Sequence, residues 1–332
     1  MKVLCAMSGG VDSSVAAAML RDDGHDVTGV TLKLWGGPSD AGCCSVADVD
    51  DARRVAQQLG IHHVVFGFGD EFMAGVVEPY VAAWASGRTP NPCIECNRTI
   101  KFDRLLRRAE QLGFDAVATG HHARSVDGRL LRGVDAAKDQ SYVLHMLDAA
   151  RLRRILFPIG SMTKDEVRAR AAALGLRTAT KTDSQEVCFL PGGGRDREAL
   201  VATHAGVVVE NDVVVGSVPA VELVTIGQRR GLGLGGSAMP RYVLDVDVPT
   251  RTVTVGPIEA LLTDVVRIEG ATWARGEPNG VVLVQSSAHG RVAPASYADG
   301  VLHFVEPVRR VAPGQSVVLY DGDEVLGGGV AT

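Results

Sequence analysis

Short apolar runs alternate with amphipathic stretches along the first half of the chain. Apolar, often β-branched runs over residues 2–7, 26–34, 63–66 and 115–119 predict strands, and we expect the first of them to be buried. Helical patterns lie between them, over residues 12–20, 46–59 and 101–112, and Ser45 is suited to cap the second of these helices. Strands that are separated by helices of this length predict a doubly wound parallel α/β sheet.

The hydrophobic pattern changes after about Pro191. Residues 191–194 read Pro-Gly-Gly-Gly and predict a linker. Val-rich runs between Gly, Pro and Asp turns then predict two small β domains, and we expect the last to be a β-barrel. These runs cover residues 206–210, 213–218, 242–246, 253–255, 281–284 and 315–320. We therefore predict an α/β domain over residues 1–195, a central β-rich domain over 196–258 and a C-terminal barrel over 259–332.

Composition and charge narrow the class of protein. Hydrophobic residues make up 46% of the 332 residues, which is enough to form a core. No apolar run approaches the roughly 18 residues of a membrane helix, and the N-terminus leads directly into a Gly-rich turn rather than a signal peptide. Six cysteines without a dense disulfide framework indicate a reducing cytoplasm. Because the net charge is -5, a nucleic-acid partner would need local basic patches, and we expect neither a membrane nor DNA as a partner.

A Gly-rich turn carries the first candidate chemistry. Residues 8–14 read Ser-Gly-Gly-Val-Asp-Ser-Ser and lie between the first predicted strand and the first helix. A nucleotide phosphate is expected there, because glycines let the backbone approach closely and a helix N-terminus presents free N–H groups. Serine hydroxyls would add donors, and Asp12 would help to hold Mg2+. The structural alternative is an ordinary strand-to-helix turn with a Ser cap.

The turn lacks the Gly-Lys-Ser/Thr of a Walker loop and instead resembles the pyrophosphate loop of the ATP pyrophosphatases. Enzymes of this PP-loop superfamily, whose domain is adenine nucleotide alpha hydrolase-like, cleave ATP to AMP and pyrophosphate and leave an adenylate on the substrate. The loop alone leaves the substrate open. Synthetases that amidate nucleotides or NAD precursors, argininosuccinate synthesis and tRNA lysidine formation resemble it equally well.

Two cysteines far apart in the sequence carry the second candidate chemistry. A loop-like segment ends near residue 92 and a basic helix follows, so we expect Cys96 at or just before the helix N-terminus. That position, together with Arg98 and Lys101, favours the thiolate. Cys188 lies in a polar stretch much farther along the chain. As an alternative, Cys93, Cys96 and Cys188 could bind an iron–sulfur cluster with one open iron.

Several separate motifs follow one another over essentially the whole chain. They are residues 8–14, Asn91-Pro92 with Cys96-Asn97, Thr119-Gly120-His121, residues 138–142, residues 184–189, residues 225–232, and residues 313–315 with 320–322. In this order they resemble the tRNA-specific 2-thiouridylase family, which thiolates the wobble uridine of certain tRNAs at carbon 2. The resemblance implies an enzyme, an ATP-dependent tRNA-uridine 2-sulfurtransferase of the cytoplasm, whose first domain is catalytic.

The resemblance also implies a role for each matching position. ATP would be contacted by Ala6, Met7, Ser8, Gly9, Gly10, Val11, Asp12, Ser13, Leu32 and Gly120. The tRNA would be contacted by Asn91, Pro92, Cys93, His121, Lys138, Asp139, Gln140 and Gln315. Cys188 would carry a persulfide from a sulfur donor, either a cysteine desulfurase or a sulfur-relay protein. Cys96 would act as nucleophile and then close a disulfide with Cys188.

Three positions depart from the family's pattern. Cys93 stands where many relatives have Asp, which leaves the proton donor open, and Leu32 stands where Met is common. Residues 285–289 replace a more basic stretch, so tRNA contact by the last domain is open. Two other functions remain: a synthetase that adenylates a small molecule, which needs no paired thiols, and a non-catalytic tRNA-binding or iron–sulfur protein, which needs no intact phosphate loop.

The remaining cysteines and basic runs have structural interpretations. We expect Cys5 to be buried in a core strand and Cys43 and Cys44 to lie in a Gly-rich loop. Basic positions over residues 101–108 and 151–154 would ordinarily form solvated helix faces. Given the resemblance, we expect at least one of these two runs to contact tRNA phosphates.

Overall fold

The computed structural model describes residues 1–34, 46–183, 187–190, 197–235 and 239–332. The predictions for Cys43, Cys44 and Ser45, for residues 184–186 and for the linker at 191–194 lie outside these ranges. None of the helices within the described ranges is both long enough and apolar enough to cross a membrane.

The N-terminal part contains the predicted parallel sheet. The strands of this part are β1 (Lys2–Ala6), β2 (Asp26–Lys33), β3 (His62–Gly67), β4 (Ala116–Thr119), β5 (Ala123–Val126), β6 (Arg129–Arg132) and β7 (Ile155–Leu156), of which β5 and β6 form a hairpin outside the parallel sheet. The sheet order is β3-β2-β1-β4-β7, and every pairing in it is parallel. The chain proceeds outward from β1 to β3 and then returns to the other side of β1, which makes the carboxyl ends of β1 and β4 the topological switch point where ligands bind.

Helices cover both faces of this sheet. They are α1 (Val11–Asp22), α2 (Val46–Leu59), α3 (Gly69–Phe72), α4 (Glu78–Ala85), α5 (Pro92–Glu95), α6 (Leu105–Gln111), α7 (Ala149–Leu152) and α8 (Lys164–Ala173). Successive β1 side chains point to opposite faces, so Leu4 packs in one hydrophobic cluster while Val3 and Cys5 pack in another. Cys5 is fully buried, as expected for a core strand residue.

Two longer helical runs each contain a π-helical segment. Met73–Val77 joins α3 to α4, and Cys96–Arg104 joins α5 to α6. Short 3-10 turns occur at Ser141–Leu144, Arg177–Thr180, Arg197–Ala199, Val221–Leu223 and Ile258–Leu261. π-Helical segments are frequent at functional sites, and the second of them begins at Cys96.

The chain then forms a small four-stranded sheet of order β10-β11-β8-β9. Its strands are β8 (Gly206–Glu210), β9 (Val213–Val218), β10 (Tyr242–Asp247) and β11 (Thr252–Gly256). Only the pairing of β11 with β8 is parallel in this sheet. A separate hydrophobic cluster fills it, which includes Val208, Val243 and Val253.

The C-terminal strands close into the expected barrel. They are β12 (Leu262–Trp273), β13 (Gly280–Gln285), β14 (Ala293–Ala298), β15 (Val301–Arg309), β16 (Ser316–Asp321) and β17 (Glu324–Ala331). Their order is β12-β15-β14-β13-β16-β17, and an additional β12–β17 pairing closes the ring of six strands. The β5–β6 hairpin of the first part adds to this sheet through the pairing of Leu131 with Glu324. The fold class predicted from the sequence is therefore confirmed, while the domain limits stay predictions.

Candidate active site

The phosphate loop lies between the carboxyl end of β1 and the start of α1. Gly9 has φ 72°, and a Cβ there would lie 2.4 Å from the carbonyl oxygen of Asp48. A Cβ at Gly120, which directly follows β4, would lie 2.5 Å from the backbone nitrogen of Ser13. Both positions require glycine because the backbone of a neighbouring segment occupies the space. The loop is therefore held tightly at the switch point of the sheet.

Hydroxyl groups define the conformation of the loop. Ser13 Oγ accepts a hydrogen bond from the backbone nitrogen of Ser8 at 3.1 Å and donates to the carbonyl oxygen of Gly10 at 3.2 Å. Ser14 Oγ donates to the same oxygen at 2.7 Å. The N-cap of α1 is Gly10, which has no side chain to cap the helix. The first-turn N–H groups and the positive end of the helix dipole are thus directed at the loop, as an anion site requires.

Asp12 is the charged residue of the loop, and Lys164 neutralises it. Lys164 Nζ lies 2.8 Å from Asp12 Oδ1 and 2.7 Å from Oδ2. His122 Nε2 lies 3.3 Å from the same Oδ1. Burial acts to raise the pKa of Asp12, but the hydrogen bonds from His122 and Lys164 outweigh it and hold the pKa below its ordinary value. Asp12 is therefore a carboxylate, the form that Mg2+ prefers.

Asp183 extends this charge network. It contacts Lys164 Nζ at 2.7 Å, Lys138 Nζ at 2.8 Å and Arg168 Nη2 at 3.0 Å. Burial acts to raise the pKa of Asp183, but its hydrogen bonds to Lys138 and Lys164 lower it to about 2. Lys164 begins α8, whose N-cap Thr163 forms a capping box with Glu166. The capping box fixes the start of α8 at Lys164, and the packing of α8 beside α1 brings this side chain to the loop.

The predicted ATP residues are brought together at one edge of the sheet. Ala6 ends β1 and pairs in register with Thr119, the last residue of β4, which precedes Gly120. Leu32 lies near the end of β2 and is 8% exposed. Thr31 Oγ1 donates a hydrogen bond of 2.8 Å to the Met7 carbonyl oxygen and ties β2 to the start of the loop. ATP contact by these residues stays a prediction, and their placement supports it.

Cys96 and Cys188 contact the same hydrophobic cluster from different parts of the chain. Cys96 is buried at 7% exposure within the cluster, and Cys188 is half-buried and packs against it. Phe189 anchors the second segment, with ring centroids 5.6 Å from Phe72 and 5.3 Å from Tyr80. Both cysteines are thiols in this structure, so their predicted disulfide stays a prediction.

The helix that carries Cys96 begins earlier than expected. Asn91 is the N-cap and accepts a hydrogen bond of 3.1 Å from the Cys93 backbone nitrogen, with Pro92 at the first helical position. The expectation that Cys96 lies at or just before the helix N-terminus was wrong, because this Asn-Pro pair starts the helix one turn sooner. Cys93 therefore occupies the first turn, where the helix dipole acts most strongly, and its side chain is exposed.

Two of the predicted tRNA residues, Asp139 and Gln140, hold neighbouring backbone segments in place through their side chains. Asp139 is 9% exposed and accepts hydrogen bonds from the backbone nitrogens of Gly133 and Ser141. Gln140 Oε1 accepts a hydrogen bond of 2.9 Å from the backbone nitrogen of His122. Arg132 pairs with Asp139 at 2.9 Å. These contacts explain why the residues matter for structure, and tRNA contact by Asp139 and Gln140 stays a prediction.

Three other predicted tRNA residues, His121, Lys138 and Gln315, lie in different environments. His121 is buried beside Thr119, 2.7 Å from its hydroxyl, and burial lowers its pKa well below the ordinary value, so the ring is neutral. Lys138 has a side chain that is 34% exposed. Gln315 lies in the turn whose Pro313 accepts a hydrogen bond from the backbone nitrogen of Thr89, just before the Asn91 cap.

The charge network contains residues that the sequence analysis did not select. Lys164, Asp183 and His122 all lie within hydrogen-bond distance of Asp12 or of its partner. The Thr163–Glu166 capping box was visible in the sequence and predicts a helix start, but it does not predict which loop the adjacent lysine will reach.

The donor set for an iron–sulfur cluster is not present among the described residues. Within those ranges, no group of three or more His, Cys, Asp or Glu side chains is arranged to hold a metal ion. Cys93 is exposed whereas Cys96 is buried. The arrangement of Cys93, Cys96 and Cys188 therefore does not fit the cluster alternative.

Comparison with known families matches three consecutive segments of the chain. Residues 1–192 match the family described as tRNA methyl transferase HUP domain. Residues 198–257 match the tRNA methyl transferase PRC-barrel domain, and residues 284–331 match the aminomethyltransferase beta-barrel domain. The three segments correspond in order to the parallel sheet, the four-stranded sheet and the barrel.

Curated relatives match over the full length. The tRNA-specific 2-thiouridylase MnmA of Mycobacteroides abscessus is 48% identical over 356 residues, which covers 100% of this chain and 99% of that protein. The MnmA of Roseiflexus sp. is 46% identical and covers 99% of this chain and 98% of that protein. Among solved structures, the tRNA thiolase NcsA from Methanococcus maripaludis with its 4Fe–4S cluster is similar at a TM-score of 0.36 and 20% identity, over 53% of this chain and 58% of that chain. The full-length identity shows that the chain belongs to the tRNA-specific 2-thiouridylase family.

Proposed function

We propose that this chain transfers sulfur to carbon 2 of the wobble uridine of tRNA, at the expense of ATP, and so forms 2-thiouridine, AMP and pyrophosphate. Two curated 2-thiouridylases match it over nearly its entire length. The single observation that supports the proposal most is the joint presence of an intact phosphate loop and two thiols on one hydrophobic cluster.

Activation of the uridine uses the loop. Glycine backbone groups and the N-terminus of α1 bind the phosphates, and Asp12 would help to hold Mg2+, which would neutralise charge on the phosphates. The uracil O2 oxygen attacks the α-phosphorus of ATP, an O–P bond forms, and pyrophosphate leaves. The O2 oxygen, which is a poor leaving group by itself, then departs as part of AMP in the next step.

Sulfur transfer uses the two cysteines. Cys188 receives sulfur from a cysteine desulfurase or a sulfur-relay protein and carries it as a persulfide. The terminal sulfur attacks carbon 2, AMP leaves, and the base is joined to Cys188 through a disulfide. The Cys96 thiolate then attacks the Cys188 sulfur, which forms the Cys96–Cys188 disulfide and releases 2-thiouridine. A thiol reductant must regenerate both thiols before the next cycle. The tRNA substrate implies that the chain acts in the cytoplasm.

The proposed mechanism through two thiols also predicts that Cys93 is not needed as a cluster ligand. The proposed route involves no cluster, because among the described residues no three His, Cys, Asp or Glu side chains are grouped to hold a metal ion. Cys93→Asp should therefore keep substantial thiolation activity, and anaerobically purified protein should support it without stoichiometric iron. Iron and sulfide analysis followed by assay of this variant provides the test. A stoichiometric cluster that is lost together with activity in Cys93→Asp would contradict the thiol route.

A further inference from the structure

A continuous chain of charges leads from the phosphate loop to one of the predicted tRNA residues. Asp12 contacts Lys164 at 2.7 Å, Lys164 contacts Asp183 at 2.7 Å, and Asp183 contacts Lys138 at 2.8 Å. Lys164 is the central member, since its ammonium group is shared between two carboxylates. Its side chain is 9% exposed, whereas that of Lys138 is 34% exposed. The network therefore has a buried centre and an accessible end.

A second connection joins the same two regions. His122 lies 3.3 Å from Asp12 through its ring, and its backbone is held by Gln140 in both directions. Gln140 accepts a hydrogen bond from the His122 backbone nitrogen and donates its own backbone N–H to the His122 carbonyl oxygen, each at 2.9 Å. Gln140 is two positions from Lys138. The segment that carries Lys138 is thus attached to the phosphate loop at two points.

We propose that Lys164 is a positioning residue that couples ATP binding to tRNA binding, an inference that rests on the proposed function. Mg2+ that arrives with ATP competes with Lys164 for the Asp12 carboxylate. Lys164 then keeps only Asp183 as its carboxylate partner within this network. Lys164, Arg168 and Lys138 therefore compete for the Asp183 carboxylate. The most weakly held of them, the accessible Lys138, becomes available to a tRNA phosphate.

The coupling has a defined direction. Nucleotide and Mg2+ tighten tRNA binding, and by thermodynamic reciprocity tRNA tightens nucleotide binding by the same factor. This order suits the proposed reaction, because adenylation requires both substrates at once. Arg170 provides a matched control, since it is a cation on the same helix as Lys164 but pairs with Asp22 at 3.1 Å, outside this charge network.

Equilibrium binding of a tRNA with uridine at the wobble position tests the coupling directly. Affinity is measured with and without Mg2+ and α,β-methylene ATP, whose α–β linkage cannot be cleaved. We expect the analogue to tighten tRNA binding at least threefold in the unmodified protein and in Arg170→Met. In Lys164→Met the ratio should fall to about one, and Lys164→Arg, which keeps the charge, should restore part of it.

The other outcomes each contradict the inference. Unchanged or weaker tRNA binding with the analogue in the unmodified protein overturns it, as does a full ratio in Lys164→Met. If Lys164→Met does not fold, Asp183→Asn is measured in the same way, and a ratio equal to that of the unmodified protein overturns the inference. The proposed function fails separately, when the tRNA does not bind at all or is bound but never thiolated.

Discussion

The carboxylate of Asp12 lies 2.7 Å from the ammonium nitrogen of Lys164, although the two residues belong to helices at opposite ends of the N-terminal domain's sequence. The pair places a buried positive charge beside the helix N-terminus that forms the phosphate loop. A buried ammonium group is costly unless it is paired, so its presence beside the loop supports the prediction of a phosphate site over that of an ordinary strand-to-helix turn. The predictions below follow from this pair and from the two thiols.

Asp12→Asn tests the loop itself. The amide keeps the size of the side chain but removes the charge that pairs with Lys164 and that would help to hold Mg2+. We expect tRNA-dependent pyrophosphate release to fall by about 100-fold, which corresponds to about 2.7 kcal/mol of activation free energy. Asp22→Asn, at the other end of α1 and on the surface, should release pyrophosphate normally. Undiminished release in Asp12→Asn would mean that the loop is only structural.

Cys96→Ser and Cys188→Ser test the two-thiol mechanism. Each variant should form no detectable 2-thiouridine while it still binds ATP, because neither residue belongs to the phosphate loop. Cys5→Ala is a suitable control, since burial raises the pKa of the Cys5 thiol to about 12 and leaves it unreactive. Mass spectrometry of the tRNA nucleosides and a nucleotide-binding assay measure both properties. Normal thiouridine yield in either serine variant would refute the mechanism.

His145 should make the fold sensitive to acid. Burial, assisted by Arg98, lowers the pKa of His145 to about 3. An unfolded histidine titrates near 6.5, so the contribution to stability is complete above that pH and is lost as the pH falls toward 3. Between these values the free energy of unfolding should fall by about 1.4 kcal/mol per pH unit for this one proton.

Urea unfolding at several pH values measures this effect. In His145→Gln, which does not titrate, the slope between pH 6 and pH 4 should be smaller by about one proton than in the unmodified protein. His289→Gln, which changes an exposed residue, serves as the control. Identical slopes in His145→Gln and in the unmodified protein would show that His145 does not contribute to the acid sensitivity.

The affinity for tRNA should fall steeply with salt despite the net charge of -5. Arg104, Arg107 and Arg108 line one groove together with Phe66, and the Arg108 guanidinium lies 5.8 Å from the Phe66 ring. Arg104→Gln should lower the slope of log affinity against log salt by about one, as expected for one lost phosphate contact. Arg53→Gln, an exposed arginine of α2, should leave the slope unchanged. A flat plot for the unmodified protein would argue against phosphate contacts altogether.

The parallel sheet and the phosphate loop were predictable because their signals are local. Four of the five strands, β1 to β4, were predicted as short apolar runs, whereas the two-residue β7 was not predicted. The loop is a contiguous motif between a strand and a helix. The barrel was predictable only in outline. Strand β17 contains three consecutive glycines and β14 contains Pro294, residues that ordinarily argue against strands, so cross-strand pairing rather than intrinsic preference determines these elements.

Two elements that were not predicted, the β5–β6 hairpin and the helix start at Pro92, also have local signals in the sequence. Asp127 and Gly128 both have positive φ, as the turn between β5 and β6 requires, and the Asp-Gly pair indicates this turn in the sequence. Asn91 and Pro92 likewise indicate a helix start. The contact of Lys164 with Asp12 has no such local signal, since it depends on how α8 packs beside α1. Long-range ion pairs of this kind can be found only in the structure.

Nucleoside analysis of tRNA tests the proposed function most directly. A tRNA with uridine at the wobble position is incubated with the protein, ATP, Mg2+, a cysteine desulfurase with cysteine as the persulfide donor, and a thiol reductant, then digested and analysed by mass spectrometry. We predict 2-thiouridine at that position only, together with AMP and pyrophosphate in equal amounts to it, and none when ATP is omitted. Unmodified uridine in the complete reaction, or thiouridine that forms equally well without ATP, would contradict the account.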